Sequence, residues 1–352
     1  MRTRTIELHD AFAPLAAEWE ELVDRTGAGP FSRPGWFEAF WEAFGHGRLE
    51  IAVLRRHGEL AAVLPLVRRH GTRRSLTNWH TPEFEIPALD PPARAALLRG
   101  VLEHTRTPLA LTLLTAGRPD PDAFTAAARV ARMPTLRHTV ERSPFVQIGG
   151  DWERYQQTLP RRRRSELRRR RRRLQERGTL ALDIRTGDTR LAQLLDEGFA
   201  VETSGWKARA GTAIVSRPDT HAFYRRVADW AAERGWLRLA FLRLDGRPLA
   251  FHFTIEDGVV AYQLKGGYDP GFRELAPGML LIHDMLEWAF ARGLHTYEFL
   301  GADEDFKLDW TSGLRDRLAI QAFPHSPAGA AGWCAYAYGR PAVKRARDLV
   351  RR

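Results

Sequence analysis

The run Tyr262–Trp310, YQLKGGYDPGFRELAPGMLLIHDMLEWAFARGLHTYEFLGADEDFKLDW, constrains the fold more than any other stretch, because it reads as strand, Gly/Pro loop, helix, strand and polar loop in that order. From Met279 to Arg292 the apolar residues Ile282, Met285, Leu286 and Ala289 recur at i, i+3, i+4 and i+7, with His283, Asp284, Glu287 and Arg292 opposite them. This is the pattern of an amphipathic helix. Pro277 and Gly278 stand at its start, where the first N–H groups have no acceptor within the helix. Gly278 lacks a Cβ, so a phosphate is able to approach Gly278 and the N–H groups of Met279 and Leu280 closely. Gly293 is placed to end the helix as a C′ glycine. Thr296–Leu300 then alternates as a strand and puts Glu298 on the face opposite Tyr297 and Phe299. The polar loop that follows holds Asp303, Glu304, Asp305, Lys307 and Trp310.

Upstream, the same kinds of element occur in a similar order. Pro30–Phe44 is an aromatic-rich helix that begins after Ser32 or Pro34 and stops at Gly45, its aromatics serving the core. Leu49–Leu54 and Leu60–Val67 flank His57-Gly58-Glu59 as a hairpin. Asp90-Pro91-Pro92 caps a helix that runs to about His104; a strand LALTLL and a helix over Asp122–Arg132 follow, and this half closes near Ser143–Gly150. Further on, His221–Arg234 is a helix, Leu237–Leu244 and Leu249–Ile255 are strands around Asp245-Gly246, and Val259–Leu264 is a third strand. The two hairpins, LEIAVLRRHGELAAVLPLVRR and LRLAFLRLDGRPLAFHFTIED, look like degenerate copies, which points to a tandem duplication. The first copy enters its later helix without a glycine, so only the second offers an open phosphate cradle.

A chain of 352 residues with an apolar fraction of 44% exceeds one ordinary core, so two domains are expected. Between the halves lies LPRRRRSELRRRRRRLQERG. Leu167 and Leu174 form a thin apolar seam on a helix otherwise covered by arginine, with Gly178 as its stop. Such a helix is either a solvated face or the contact for a polyanion, because its adjacent like charges repel one another until something neutralises them. The net charge of +11 also favours an anionic partner. No apolar run approaches the length of a membrane span and the N-terminus has no signal-peptide core, so a soluble cytoplasmic protein is expected. One cysteine, Cys334, excludes an intramolecular disulfide and fits a packed, inert side chain; no spacing of His and carboxylates suggests a metal.

Gly205-Trp206-Lys207, Gly211-Thr212-Ala213, Tyr268-Asp269, Pro277-Gly278, Phe299-Leu300-Gly301 and Phe306-Lys307 with Trp310 together resemble the BioF2-like or CelD-type acyltransferases. These belong to the GNAT superfamily and are related to the FemABX aminoacyl transferases. The resemblance implies an α/β protein of two tandem GNAT-like domains with mixed sheets. A non-catalytic domain would occupy residues 1–150, a domain with the donor cradle and basic helix 151–330, and a basic helical tail 331–352. It implies an acyl-CoA donor and a small amine acceptor. A donor of the FemABX kind, aminoacyl-tRNA, would instead engage the Arg161–Arg173 run. A third reading is a degenerate protein that only binds nucleic acid or an acidic surface. Two departures stand out: Arg273 lies five residues before Gly278 with no second glycine, and Phe306 replaces a tyrosine common in the family.

Acyl transfer to an amine needs a deprotonated amine, a polarised carbonyl and a stabilised oxyanion. Glu298 is the first candidate base and Asp305 the second; Glu298 serves equally well as half of a structural ion pair. Lys307 is a candidate for holding a phosphate or the developing charge, or is a surface lysine. Arg273, Gly278, Met279 and Leu280 are the expected donor contacts. Arg164, Arg168, Arg169, Arg171 and Arg172 form the expected anion-binding face. Trp206, Lys207 and Tyr268 are placed on the substrate side, with Trp206 also suited to packing between domains. His252, on an apolar strand, reads as a core histidine. The sequence leaves the oligomeric state open.

Overall fold

The computed structural model describes residues 6–103, 105–187, 189–204 and 214–334, and the chain divides into two units. The first comprises Met1–Trp41, Gly45–Glu141 and Asp316–Arg352; the second comprises Glu42–Phe44 and Arg142–Arg315.

In the first unit the elements are β1 (Ile6–His9), α1 (Ala16–Thr26), α2 (Pro34–Phe44), β2 (Arg48–Arg56), β3 (Glu59–Arg69), β4 (Thr72–Ser75), α3 (Pro91–Glu103), β5 (Leu109–Thr115), α4 (Pro119–Val130) and the start of β6 (Thr135–Gln147). Strands β1 to β4 pair antiparallel in sequence order, and β4 pairs with β5 in parallel. The β2–β3 hairpin turns at His57 and Gly58, both at positive φ (54° and 88°), as a tight turn matched to strand twist demands. Proline at N1 starts α2, whose Trp36, Phe37 and Phe40 are buried. The carboxylate of Asp90 accepts the Ala93 N–H at 2.6 Å and so caps α3. Helix α4 begins at Pro119, three residues before the expected start, since proline suits N1.

The second unit follows with α5 (Trp152–Thr158), α6 (Arg161–Gln175), β7 (Leu180–Arg185), α7 (Leu191–Ser204), α8 (Pro218–Glu233), β8 (Leu237–Leu244), β9 (Arg247–Glu256), β10 (Val260–Tyr268), α9 (Pro277–Ala291), β11 (Thr296–Glu298) and α10 (Asp305–Leu308). The chain then returns to the first unit within β12 (Leu314–Ala322), which pairs antiparallel with β5, and α11 (Pro327–Cys334) ends the described residues. The strands of the second unit run β7-β8-β9-β10-β11, with the end of β6 beside β11. Only β10–β11 is parallel, and α9 is the crossover between them. Strand alternation gives this sheet two apolar faces. Phe251 and Phe253 face one layer: Phe251 lies where a Cβ on Gly198 of α7 would go, and Phe253 stands 5.6 Å from the ring of Tyr224 in α8. Ala240, Leu242, Ala250, Ala261 and Tyr297 share the other core with Leu281, Met285, Leu286 and Ala289 of α9. Full burial of side chains such as Met285 and Leu286 contributes about 1.5 to 3 kcal/mol each. Leu167 and Leu174 join this same core, so the thin seam of the arginine helix is what docks it.

The architecture of two α/β units with mixed sheets agrees with the fold expected from the sequence. Other local expectations differ as well. Helix α6 ends at Gln175, and Gly178 is not its C′ glycine; a Cβ there would collide with the carboxylate of Asp245, which accepts the Thr179 N–H at 2.8 Å. Strand β11 stops at Glu298 because Leu300 and Gly301 turn left-handed, with φ of 56° and 62°. Asp284 is buried, not on a solvated face, because Arg171 pairs with it. Cys334 is exposed at the end of α11. Most of the expected basic tail, and Trp206 and Lys207 with their neighbours, lie outside the described residues.

Candidate active site

The site grows out of the β10–α9–β11 unit. Strand β10 pairs with β11 only at Val260–Thr296, Ala261–Tyr297 and Tyr262–Glu298. Beyond Tyr262 the register of β10 against β9 shifts between Gln263 and Lys265, while β11 ends. Tyr297 anchors this bulge: its hydroxyl donates to Gln263 Oε1 at 3.1 Å, and burial pushes the phenol well above its ordinary range, so it stays neutral. Among the described residues, no strand continues β11 beside the last part of β10. An open wedge of β10 backbone results, at the carboxyl ends of two parallel strands, where α/β folds place their ligands.

Gly266 and Gly267 carry β10 along this wedge at close quarters. A Cβ on Gly267 would lie 2.5 Å from the Cα of Glu202 in α7, and one on Gly266 would lie 2.8 Å from Cδ2 of His252. His252 itself is buried, as a core histidine. The chain then passes through a short 3-10 turn at Pro270–Leu275, with exposed Arg273, and enters α9 through Ala276 at φ 42°. Met279 and Leu280 both donate to the carbonyl of Ala276, at 3.0 and 3.2 Å. Of the three expected N–H contacts, only that of Gly278, at N2, has no carbonyl within the helix to take it. The missing Cβ has a different use from the one expected: it would sit 3.3 Å from Cδ1 of Tyr268, so glycine lets the Tyr268 ring close on the helix start. Tyr268 and Gly278 are therefore neighbours, although assigned separately to substrate and donor.

Glu298 leaves β11 on the face away from α9 and is buried; Arg315 donates from Nε to its Oε1 at 2.7 Å. Glu298 is thus half of an ion pair at the mouth of the wedge. Its cross-strand partner is Phe145 of β6, whose ring lies under the Arg315 guanidinium at 3.9 Å. Lys307 is buried and engaged: Nζ donates to Leu300 O at 2.6 Å and Ala302 O at 3.1 Å and pairs with Glu304 at 2.8 Å. This lysine clamps the loop after Glu298 and is not on the surface. Asp305 is exposed at the first position of α10. Phe306 is also exposed.

The arginine helix α6 packs on the Pro270–Leu275 turn and on α9. Its arginines have unequal roles. Arg171 pairs with Asp284 of α9, Arg163 with Asp309, and Arg170 with Glu166. Arg164 is half-buried, whereas Arg168, Arg169 and Arg172 are exposed, the last 3.7 Å from Glu176. Arg171 is therefore a docking residue of the helix, and the exposed basic face is narrower than the sequence suggests. His283, Asp284 and Glu287 present ligand atoms within 4.8 Å of one another, but Arg171 already occupies the central acid. A cavity of about 450 Å³ in the first unit, lined by Leu102, Met133 and His325 among others, holds none of the expected residues.

Residues 161–308 match the acetyltransferase (GNAT) domain family. The matched residues lie within the second unit. The solved structure of FemX is similar over 89% of this chain and 96% of its own, at 14% identity and a TM-score of 0.59. The C-terminal domain of a putative lysylphosphatidylglycerol synthetase from Agrobacterium fabrum covers 93% of this chain and 96% of its own, at 13% identity and a TM-score of 0.54. L-PGS from Bacillus licheniformis covers 86% and 90%, at 11% identity and 0.55. At these identities the likeness speaks for the fold. No curated protein matches the chain by sequence. Arg315 and Phe145 lie on either side of the matched residues, and neither is marked as a site residue by the sequence. Their only linear signal is the glycine of Thr311-Ser312-Gly313, two residues before Arg315; the cross-strand register that joins them to Glu298 is not written locally.

Proposed function

We propose that the chain catalyses N-acyl transfer from an acyl-CoA to an amine, with donor and acceptor both held by the second unit. The observation that carries this reading is the parting of β10 from β11 beside the N-terminus of α9. The unpaired edge of β10 suits an extended, amide-bearing donor arm, which would pair with it as an added strand does. Gly278 N–H and the positive end of α9 suit the donor phosphates, with Arg273 nearby in sequence. In the transfer, the amine nitrogen bonds to the thioester carbonyl carbon, the carbon–sulfur bond breaks, and its electron pair leaves on the thiolate. Glu298 takes the amine proton, directly or through water. Backbone N–H groups of the open β10 edge are the candidates for the developing oxyanion. Asp305 is the alternative base, and the Lys307 clamp fixes the backbone next to Glu298.

The first unit is proposed to be non-catalytic. The N-terminus of its helix α3 is closed by the chain's own carboxylate, Asp90, which leaves less room for a phosphate.

A second reading keeps the chemistry and takes the acyl group from aminoacyl-tRNA. What favours it is the exposure of Arg168, Arg169 and Arg172, since a CoA donor needs few cations and a nucleic-acid backbone engages many. Incubation with acetyl-CoA and a panel of amines, read as free thiol against acylated amine, tests the first reading. One thiol per amide is expected; thiol release that does not depend on an amine contradicts it.

A further inference from the structure

Arg315 is held on two sides at the start of β12. Its Nε donates to Glu298 Oε1 at 2.7 Å, and its guanidinium carbon stands 3.9 Å from the centroid of the Phe145 ring. Phe145 and Glu298 are register partners in β6 and β11, so both project from the same face of the sheet, away from α9. The segment that delivers Arg315 is itself fixed. Thr311 Oγ1 donates to Phe145 O at 2.6 Å and the Phe145 N–H donates to Gly313 O at 3.1 Å. A Cβ on Gly313 would lie 2.9 Å from Phe145 O, so only glycine permits this approach.

Among the described residues, the only side-chain hydrogen bond of Arg315 is through Nε. Its side chain is 31% exposed, against 5% for Glu298. A guanidinium stacked on a ring and bonded at Nε presents its two Nη groups outward as a rigid fork. That fork matches an anion with two coplanar oxygens. On the adjoining loop Asp303 pairs with Arg142 and Glu304 with Lys307, while exposed Asp305 adds a negative charge that disfavours a phosphate dianion and favours a ligand with a cationic amine of its own. We propose that Arg315 binds a carboxylate of the acceptor, and that the acceptor is an amino acid or a similar amine bearing a carboxylate, with its amine directed to Glu298. This rests on the reading of Glu298 as the base for acyl transfer to an amine.

The test uses pairs that differ only by the carboxylate: L-alanine and ethylamine, L-serine and ethanolamine, L-lysine and cadaverine. Each is offered as acceptor with acetyl-CoA, and each is titrated calorimetrically without donor. In at least one pair the carboxylate member should be favoured by about tenfold or more in kcat/KM or Kd, as a charge-assisted fork implies. Arg315→Gln and Arg315→Lys should both abolish that preference; the lysine keeps a cation against Glu298, and thermal melts establish that each variant is folded. Equal behaviour in every pair, or a preference that survives both substitutions, overturns the proposal. If no amine is acylated, the reading of function fails, while calorimetry still reports on the site: Arg315-dependent binding of a carboxylate member supports it, and no binding by any of them overturns it.

Discussion

Lys307 donates its ammonium to the carbonyl oxygen of Leu300 at 2.6 Å, and this bond closes the loop that follows Glu298. Ala302 O and Glu304 complete the clamp around the left-handed pair Leu300-Gly301. Lys307→Met should lower stability by about 1 to 3 kcal/mol, because buried carbonyls lose a charged donor. Turnover should fall with it while donor affinity changes little. Urea unfolding and CoA titration check both; an unchanged midpoint with weakened CoA binding would instead make Lys307 a phosphate ligand.

Glu298→Gln preserves shape and most hydrogen bonding but removes the basic oxygen. Turnover should fall about 100-fold or more, with donor affinity nearly unaltered, as for loss of a general base. The acid limb of the pH–rate profile should flatten at the same time. A variant that keeps its rate and its profile would leave Asp305, or the substrate itself, as the base.

Arg171 and the exposed arginines of α6 should separate cleanly. Arg171→Gln leaves Asp284 buried without its cation and should destabilise the protein by about 3 kcal/mol. Replacing Arg168, Arg169 and Arg172 together by glutamine should leave the melting temperature nearly unchanged, since glutamine suits a helix as well as arginine does. With CoA as donor, the triple variant should bind with little loss. Steep salt dependence of tRNA binding in the parent, flattened by close to one unit of slope per lost contact, would favour the aminoacyl-tRNA reading.

Much of this architecture was legible in the chain because its signals are local. The hairpin at His57-Gly58, the Asp90 cap of α3 and the periodicity of α9 are each set within a few residues. The left-handed turn at Leu300-Gly301 was not, since a leucine at positive φ is held by a lysine seven positions away. Lys307, read as a holder of phosphate or developing charge or else a surface lysine, is buried against Leu300 O, Ala302 O and Glu304, and Asp284, read on the polar face of its helix, is buried against Arg171. Glu298 was visible from strand alternation. Its partners Phe145 and Arg315 come from β6 and β12, and only the register of β6 on β11 and the path of Gly313 bring them together.

Glu85, in the first unit, gives stability a pH dependence of its own. Burial, then the neighbouring Glu83 and Asp120, push its carboxyl from 4.5 up to about 7, against the opposing pull of Arg118 and the Gly29 N–H. The folded state holds this proton more tightly than the unfolded chain does. Its contribution is complete below the unfolded value near 4.5 and is lost as pH rises through about 7. Glu85→Gln should therefore be more stable than the parent at pH 8 by about 1 to 2 kcal/mol and nearly equal to it at pH 4.5. Urea unfolding at the two pH values checks this; a gain of the same size at both would remove Glu85 as the cause.

On the proposed function, the start of α9, at Gly278, holds an acyl-CoA. Calorimetric titration of CoA into the parent, Gly278→Ala and Gly278→Val measures it directly. The parent should bind, and the variants should remain folded and lose about 1 to 3 kcal/mol of affinity, valine more than alanine, as Tyr268 is displaced and the helix start is crowded. A parent that does not bind CoA, or a folded Gly278→Val protein that binds it as tightly as the parent, would contradict the account.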